Sequence, residues 1–205
     1  VVKKDFQNWC INPDRKTLVM GIINVTPDSF SDGGEYVKIK NAINHAKKMV
    51  DDGADIIDVG GESTRPGAEE VSSSEELRRV IPVVESIRLN FPDILISIDT
   101  TKSVVAHKAI KAGADIINDV SGLNSDTEMV GVVANLKVPI IIMHMKGNPR
   151  NMQINPKYKN LIGEITSFFE KKIKIATELG INRNLIIIDP GIGFGKTINH
   201  NFEII

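Results

Sequence analysis

The chain has 205 residues, the size of one domain or at most two small ones. Hydrophobic residues make up 41% and charged residues 25%, so the chain can bury a core and is not disordered. With 25 Lys and Arg against 26 Asp and Glu, the formal charge of −1 argues against a nucleic-acid binder. The longest apolar run, Val138–Met143, is too short to span a bilayer, and no secretory signal is visible.

Cysteine usage indicates a reducing compartment. Cys10 is the only cysteine, so neither a disulfide framework nor a cysteine zinc site can be built. We therefore expect a cytoplasmic protein that acts on small molecules, without a nucleic-acid or membrane partner.

The predicted elements alternate along the chain. Near-continuous apolar runs are typical of strands buried on both faces of a parallel sheet. Six such runs are present: Leu18–Val25, Asp55–Val59, Ile94–Ile98, Asp115–Val120, Val138–Met145 and Leu185–Ile188. Helices are predicted between them at about 38–52, 73–90, 102–112, 125–136 and 157–179, which indicates repeated βαβ units and an α/β fold.

One short sequence occurs twice, and two loops interrupt the alternation. Gly-Ala-Asp-Ile-Ile stands at Gly53–Ile57 and again at Gly113–Ile117, each time between a helix and a strand. Such a repeat is expected in a barrel of equivalent units. The segments Thr26–Tyr36 and Glu62–Glu75 are rich in Gly, Pro, Ser and Asp and are predicted as loops that follow strands and act as lids.

Each predicted strand ends in a polar side chain. In a parallel sheet the carboxyl ends of the strands share one edge, so these side chains should converge on a site. They are Asn24, Glu62, Asp99, Asn118, His144 and Asp189. The alternative for any one of them is a cap on a strand end or a helix start.

The chemistry of this set favours a ligand with several N–H groups. Asp99 and Asp189 accept hydrogen bonds when ionised, while Asn118 both donates and accepts. The flat edge of an aminopyrimidinone, as in pterins and guanine, presents such donors to a carboxylate. Asp58 could reach this pocket or be a satisfied buried carboxylate, and His144 could face the pocket or the barrel layer.

Six motifs resemble dihydropteroate synthases, in family order and from residue 18 onward. They are VMGIINVTPDSFSDGGEY at Val19–Tyr36, DVGGESTRPGA at Asp58–Ala68, SIDT at Ser97–Thr100, AGADIINDVSG at Ala112–Gly122, MHMKGNPRNMQ at Met143–Gln153 and IDPGIGFGKT at Ile188–Thr197. The resemblance implies a (β/α)8 TIM barrel. It also implies condensation of 6-hydroxymethyl-7,8-dihydropterin pyrophosphate with p-aminobenzoate to 7,8-dihydropteroate and pyrophosphate in folate biosynthesis, with Mg²⁺ and as a sulfonamide target.

The resemblance also assigns residues to roles. Asp99, Asn118 and Asp189 are similar to the pterin-pocket residues, and Met143 would line the pterin floor. Asn24 resembles the asparagine near the metal and pyrophosphate, which Asp32 of the first loop would join. The residues that would close over the substrates and shape the aminobenzoate subsite are Phe30, Thr64, Arg65, Pro66 and Phe194. We expect Arg65 to offer its charge to pyrophosphate, and Asp28 either to offer an oxygen to Mg²⁺ or to serve only as a turn residue.

The segment Gly191–Thr197 only superficially resembles a phosphate loop. A P-loop requires glycine where this chain has Pro190, so the match fails. We predict instead a loop between a strand and a helix, whose glycines allow close approach of a ligand.

Residues 1–17 are predicted as an N-terminal extension without an assigned role, and 18–205 as the barrel domain. The family pattern should continue with a Ser/Lys-bearing seventh strand and an Arg-x-His-bearing eighth. Only six βα units are present, so we expect a barrel cut at its C-terminal side from a chain about 60 to 80 residues longer. A homodimer is expected for the full-length form. The alternatives are the pterin domain of a corrinoid-linked folate methyltransferase and a non-catalytic pterin-binding fragment.

Overall fold

The structure is a computed structural model that describes residues 5–26, 35–63 and 70–205. Within these ranges six parallel strands form one sheet in the order β1-β2-β3-β4-β5-β6. Their bounds are β1 (Met20–Asn24), β2 (Ile56–Gly60), β3 (Leu95–Asp99), β4 (Ile116–Asp119), β5 (Ile140–Met143) and β6 (Ile186–Asp189). All six predicted strands are confirmed, and sequential order in a parallel sheet is what a barrel requires.

The helices lie between the strands. They are α1 (Phe6–Ile11), α2 (Glu35–Asp51), α3 (Ser73–Asn90), α4 (Ser103–Ala112), α5 (Met129–Leu136), α6 (Leu161–Glu178) and α7 (Ile198–Ile204). The five predicted helices are confirmed, although α5 begins later than the predicted residue 125, and α6 begins later than the predicted residue 157. Helix α6 begins there because Asn160 caps it by accepting a hydrogen bond from the backbone N–H of Gly163. None of the helices in the described ranges is long and apolar enough to cross a bilayer.

Alternation along the strands divides the core in two. Isoleucines at one set of positions, such as Ile57, Ile98 and Ile142, pack against the helices and are fully buried. The other set points to the concave side of the sheet. Full burial of one such side chain stabilises the fold by about 1.5–3 kcal/mol, so the contact between helices and sheet contributes to stability.

Helix α1 covers the amino end of the sheet. Phe6, which is 3% exposed, packs with Ile56, Leu95 and Ile116, the first residues of their strands, and its ring stacks on Trp9. Phe6 thus belongs to the core, and Trp9 and Cys10 pack partly buried against the same cluster, although no role was predicted for this segment. The domain boundary after residue 17 stays a prediction.

The repeated Gly-Ala-Asp-Ile-Ile sequence has a common structural cause. Gly53 and Gly113 both have positive φ, which lets the chain turn from a helix into a strand. The carboxylates of Asp55 and Asp115 then accept hydrogen bonds from the backbone of the preceding strand segment, at Val19 (3.1 Å) and Ile96 (3.0 Å). The repeat is therefore the same helix stop and strand start used twice.

The outer strands of the sheet expose apolar side chains. Ile22 of β1 is 56% exposed and Ile188 of β6 is 50% exposed. Across the residues described, β1 pairs with β2 and β6 pairs with β5, so the sheet is open between them. This agrees with the expectation of six units of an eight-unit barrel.

Candidate active site

Three of the predicted site residues meet at the carboxyl end of the sheet. Asp99 of β3 lies opposite Asn118 of β4, and Gly60 of β2 lies between Asp99 and Asn24 of β1. A Cβ atom placed on Gly60 would lie 3.3 Å from Asp99 Oδ2 and 3.6 Å from Asn24 Oδ1. Glycine at position 60 therefore leaves a small recess into which oxygen atoms of both neighbours point.

Asp58 lies on the concave face one pair deeper than Gly60 and is 3% exposed. The Asn118 side chain donates a hydrogen bond from Nδ2 to Asp58 Oδ2, at 3.2 Å. Asp58 is therefore buried and contacts a residue of the predicted pocket, but it is not the fully satisfied carboxylate of one predicted alternative, because its Oδ1 has no hydrogen-bond partner within the described ranges. The repeat carried a signal for this pair, since Asp58 and Asn118 each follow the repeated sequence directly.

Burial dominates the electrostatics of this cluster. Loss of solvent raises the pKa of Asp99 well above its ordinary value, and the charges of Asp58, Glu76, Asp119 and Glu62 raise it further. Burial also raises the pKa of Asp58, and the nearby Ser97 hydroxyl and Asn118 amide oppose this rise. The Ser97 Oγ atom lies close to the carboxylate but not in the geometry of a hydrogen bond. A ligand that brings N–H donors or positive charge would relieve this repulsion.

Glu62, predicted to join the convergent set, lies near enough to Asp99 for its charge to raise the pKa of Asp99, and it also binds a lysine. Lys102, directly beyond β3, donates to Glu62 and to the buried Glu76 of α3, the latter at 2.6 Å. Burial lowers the pKa of the Lys102 ammonium, but the bonds to both carboxylates outweigh burial and raise it. The sequence analysis missed Lys102 and Glu76 because neither lies at a strand end.

His144 points away from the concave face. Its ring packs edge-on against Phe168 of α6 at 5.0 Å, so the prediction that it faces the pocket or the barrel interior is wrong. Burial and the charge of Lys196 lower the pKa of His144 to about 4. The imidazole is therefore neutral at physiological pH, and its Nδ1 can accept a hydrogen bond.

Lys196 uses this imidazole as one of three partners. Its buried ammonium contacts His144 Nδ1 at 3.1 Å and donates to the carbonyl oxygens of His144 (3.2 Å) and Phe194 (3.0 Å). Burial lowers the pKa of Lys196 to about 8, while Asp189 opposes this shift. The three N–H groups of the Lys196 ammonium thus have three acceptors. These contacts hold the loop after β6 against the end of β5.

Two glycines of the loop after β6 allow its backbone to pack directly against the backbone that follows β5. A Cβ on Gly191 would lie 2.1 Å from the His144 carbonyl oxygen, and one on Gly195 would lie 2.4 Å from that of Lys146. The prediction that glycines here admit a ligand is therefore wrong for these two positions. At both positions the missing side chain makes room for the backbone of His144 and Lys146.

Asp189 and Met143, the last residues of β6 and β5, lie opposite each other in register. Asp189 Oδ1 accepts a hydrogen bond from the backbone N–H of Gly191 at 2.7 Å, so part of its role is to close a turn. Met143 is 2% exposed, and the predicted contact with a pterin ring stays a prediction.

A cavity of about 760 Å³ opens beside Asp99 at the same end of the sheet. Its walls carry both cationic groups, from Lys102 and Arg150, and acidic groups such as Glu62 and Asp126, so charges of both signs line it. Arg150 was missed by the sequence analysis because it lies in a loop of mixed polarity. The cavity is large enough for a drug-sized ligand.

Comparison with known proteins identifies this arrangement. The sequence of residues 20–205 matches the family described as pterin binding enzyme. The chain belongs to this pterin-binding enzyme family. The chain is also 51% identical to the dihydropteroate synthase of Synechocystis over 191 residues, which cover 93% of this chain and 66% of that relative.

Solved structures of relatives share the fold. The dihydropteroate synthase of Yersinia pestis, in a sulfonamide drug complex, matches with a TM-score of 0.85 at 46% identity, over 92% of this chain and 68% of that one. The dihydropteroate synthase of Xanthomonas albilineans with 4-aminobenzoic acid matches with a TM-score of 0.84 at 43% identity, over 92% and 66%.

Both comparisons confirm the predicted family and its barrel architecture. This chain forms six βα units of the pterin-binding barrel and spans about two thirds of the length of these relatives. Among the predicted site residues, Asn24, Asp99, Asn118, Met143, Asp189 and Phe194 lie in the described part of the pterin-binding chain. Asp28, Phe30, Asp32, Thr64, Arg65 and Pro66 lie outside it, so their predicted roles remain predictions.

Proposed function

We propose that the protein is a dihydropteroate synthase of folate synthesis, which joins 6-hydroxymethyl-7,8-dihydropterin pyrophosphate to p-aminobenzoate. The observation that carries the proposal is the set of acceptor oxygens at one end of the sheet, from Asp99, Asn118 and Asp189. The similar enzymes from Yersinia pestis, with a sulfonamide drug, and from Xanthomonas albilineans, with 4-aminobenzoic acid, support it.

The proposed reaction exchanges one bond for another at the pterin methylene carbon. The C–O bond to pyrophosphate breaks, and its electron pair leaves with the pyrophosphate. The aromatic amine then forms a C–N bond to the same carbon and loses a proton. The carboxylates of Asp99 and Asp189 bind the ring N–H groups and stabilise the positive charge that develops on the pterin.

The aromatic amine is a weak nucleophile, so its placement matters more than its activation. We assign this placement to Phe194, whose carbonyl oxygen is held by Lys196, together with Phe30, Thr64, Arg65 and Pro66. We also propose that loss of pyrophosphate precedes attack by the amine. Product formation with no pyrophosphate exchange or release in the absence of p-aminobenzoate would contradict that order.

We propose Mg²⁺ as the metal of this site, with Asn24 and Asp32 as its protein ligands. Asn24 fits the role because its Oδ1 points into the recess over Gly60, beside an Asp99 oxygen, and Mg²⁺ prefers oxygen ligands and keeps several waters. Among the described residues no cluster of three His, Cys, Asp or Glu side chains is arranged for a metal. When bound, the ion would supply positive charge for the departing pyrophosphate.

We further propose a cytoplasmic enzyme that acts on small molecules, forms a homodimer in its full-length form, and binds neither nucleic acid nor membranes. A methyltransferase of related fold has no pyrophosphate to hold, so the pyrophosphate-directed residues favour the synthase. The second candidate function is pterin binding without turnover, which a match to a pterin-binding family also allows.

Pyrophosphate release separates these functions. We expect the chain, supplied with the pterin pyrophosphate and Mg²⁺, to release pyrophosphate at a rate that rises with p-aminobenzoate. Pterin binding without turnover would indicate the binding fragment. Absence of both would contradict the proposed function.

The predicted role of Arg65 provides a separate test. If its guanidinium contacts pyrophosphate, Arg65→Ala should lower the turnover rate far more than the melting temperature. An unchanged rate with a lowered melting temperature would refute the role.

A further inference from the structure

Asp58 contacts Asn118, a residue of the proposed pterin pocket, from below. It lies in the middle of β2, opposite Ser97 of β3, where a concave-facing position would ordinarily hold an apolar side chain. Its contact with Asn118 is the 3.2 Å hydrogen bond from Asn118 Nδ2 to Asp58 Oδ2.

The chemistry of this bond determines which way the Asn118 amide faces. A carboxylate oxygen accepts hydrogen bonds, so the NH₂ group of Asn118 must turn toward Asp58 and its carbonyl oxygen must turn away. That oxygen, Asn118 Oδ1, is buried and has no hydrogen-bond partner within the described ranges. The same holds for Asp58 Oδ1 and Ser97 Oγ. Buried polar atoms of this kind are few in native proteins and call for an explanation.

Building on the proposed function, we propose that Asp58 is a positioning residue that holds the Asn118 amide with its oxygen toward the ligand. The bottom of the pocket then presents acceptors from Asp99, Asn118 and Asp189 together. A ring edge with adjacent N–H groups pairs with such a surface, whereas a ring edge with carbonyl groups meets unpaired acceptors and is rejected.

A purely structural role explains Asp58 less well. Burial raises its pKa, and its charge raises that of Asp99, so the carboxylate opposes folding rather than favouring it. Well-packed apolar residues in place of buried charges are often neutral or stabilising. Costly polar groups of this kind are typical of binding sites.

A double-mutant cycle tests whether Asp58 acts through Asn118. Titration calorimetry would measure the affinity for 6-hydroxymethyl-7,8-dihydropterin pyrophosphate with Mg²⁺ in both an Asn118 and an Asn118→Ala background. We expect Asp58→Ala to weaken binding about tenfold in the first background and less than about twofold in the second. Equal losses in both backgrounds, or no loss in the first, would overturn the proposal.

Two further variants control this cycle. Ser97→Ala removes an equally buried polar group across the strand pair and should change affinity by less than about twofold. Asp58→Asn keeps an acceptor of the same shape and should restore part of the affinity, to about threefold below wild type. It also replaces Asp58→Ala in the cycle if that variant does not fold.

A measurement without ligand keeps this inference separate from the proposed function. Nuclear magnetic resonance would follow hydrogen exchange at the Asn118 side-chain NH₂ group. We expect slow exchange in wild type and Ser97→Ala, and fast exchange in Asp58→Ala. Equal exchange rates in all three would overturn the role of Asp58. Failure of wild type to bind the pterin, with this pattern intact, would instead contradict the proposed function.

Discussion

The two ends of the concave side of the sheet differ in chemistry. At the amino end, Phe6 of α1 seals a small apolar cluster that includes Ile56, Leu95 and Ile116. At the carboxyl end, the same strands present Asp58, Asp99 and Asn118, together with buried polar atoms that have no partner in the described part of the chain. Residues two or four positions apart along a strand therefore serve opposite purposes.

This contrast shows where stability and recognition are located. Apolar burial at the amino end stabilises the fold without offering groups to a ligand. Buried carboxylates at the carboxyl end oppose folding and can pair with a ligand. Substitutions at the two ends should therefore affect different measurements.

The largest effect should follow from damage to the amino end. Phe6→Ala leaves a cavity between α1 and the strand starts, and we expect it to lower the free energy of unfolding by about 3–5 kcal/mol. Pterin affinity of the folded protein should stay within about twofold. Chemical denaturation and calorimetry measure the two. As a control, Phe202→Ala should cost little stability because Phe202 is 74% exposed. A loss of affinity with Phe6→Ala would contradict the separation of the ends.

At the carboxyl end the effects should be reversed. Asp189→Asn replaces an acceptor by a donor and should weaken pterin binding about 100-fold, with a change in stability below about 1 kcal/mol. Its matched control is Asp119→Asn, whose carboxylate accepts from Ser121 and Leu123 within its own turn. That variant should lose about 1–2 kcal/mol of stability and keep its affinity. The opposite pattern would reject the assignment of Asp189.

Lys196 links the site to its supporting loop, so its removal should affect both measurements. Lys196→Met leaves the carbonyl oxygens of His144 and Phe194 buried without a donor, and we expect a loss of about 2 kcal/mol in the free energy of unfolding. Because Phe194 is then less well held, the KM for p-aminobenzoate should rise more than the Kd for pterin changes. Lys174→Met, at a 75% exposed lysine, is the control. An unchanged KM would show that the loop is held by other contacts.

The smallest and most specific effect concerns pH. The pKa of Asp99 is raised in the folded state above its ordinary value of 3.8, chiefly by burial, so the folded protein retains a proton that the unfolded chain loses. Stability from this group is therefore present below pH 3.8 and falls as the pH rises from there toward the raised pKa. Asp99→Asn should gain stability relative to wild type over that range, as measured by denaturation at several pH values.

Asp126→Asn should show the opposite sign. Burial raises the pKa of Asp126, but hydrogen bonds from Ser103 and Glu128 outweigh burial and lower it. Its contribution is present above the ordinary pKa and is lost as the pH falls through the lowered one. A stability difference for Asp99→Asn that does not depend on pH would contradict the raised pKa.

Much of the fold could be predicted from the sequence because its signals are local. Apolar runs such as Ile140–Met143 and helix stops such as Gly113 depend on neighbouring residues only. Helix α1 was missed because it is short, with Phe6 as its one buried residue, and is stabilised by contacts with distant strands.

The site residues likewise divide into those with a local sequence signal and those without one. Asp99 and Asn118 could be found because parallel strands bring their ends together. The orientation of the His144 side chain and the ion pairs of Lys102 depend on contacts between elements that are distant in sequence. No local sequence pattern encodes such contacts. Asp58 was noticed because of the repeat, but its bond to Asn118 needed the structure.

The central claim is that the carboxyl end of this sheet is an acceptor surface for a pterin. Titration calorimetry of wild type and Asp99→Asn with 6-hydroxymethyl-7,8-dihydropterin pyrophosphate and Mg²⁺ tests this claim most directly. We predict one binding site in wild type and an affinity lower by about 100-fold in the variant, which keeps its fold. Equal affinity of the two proteins, or no binding by either, would contradict the claim.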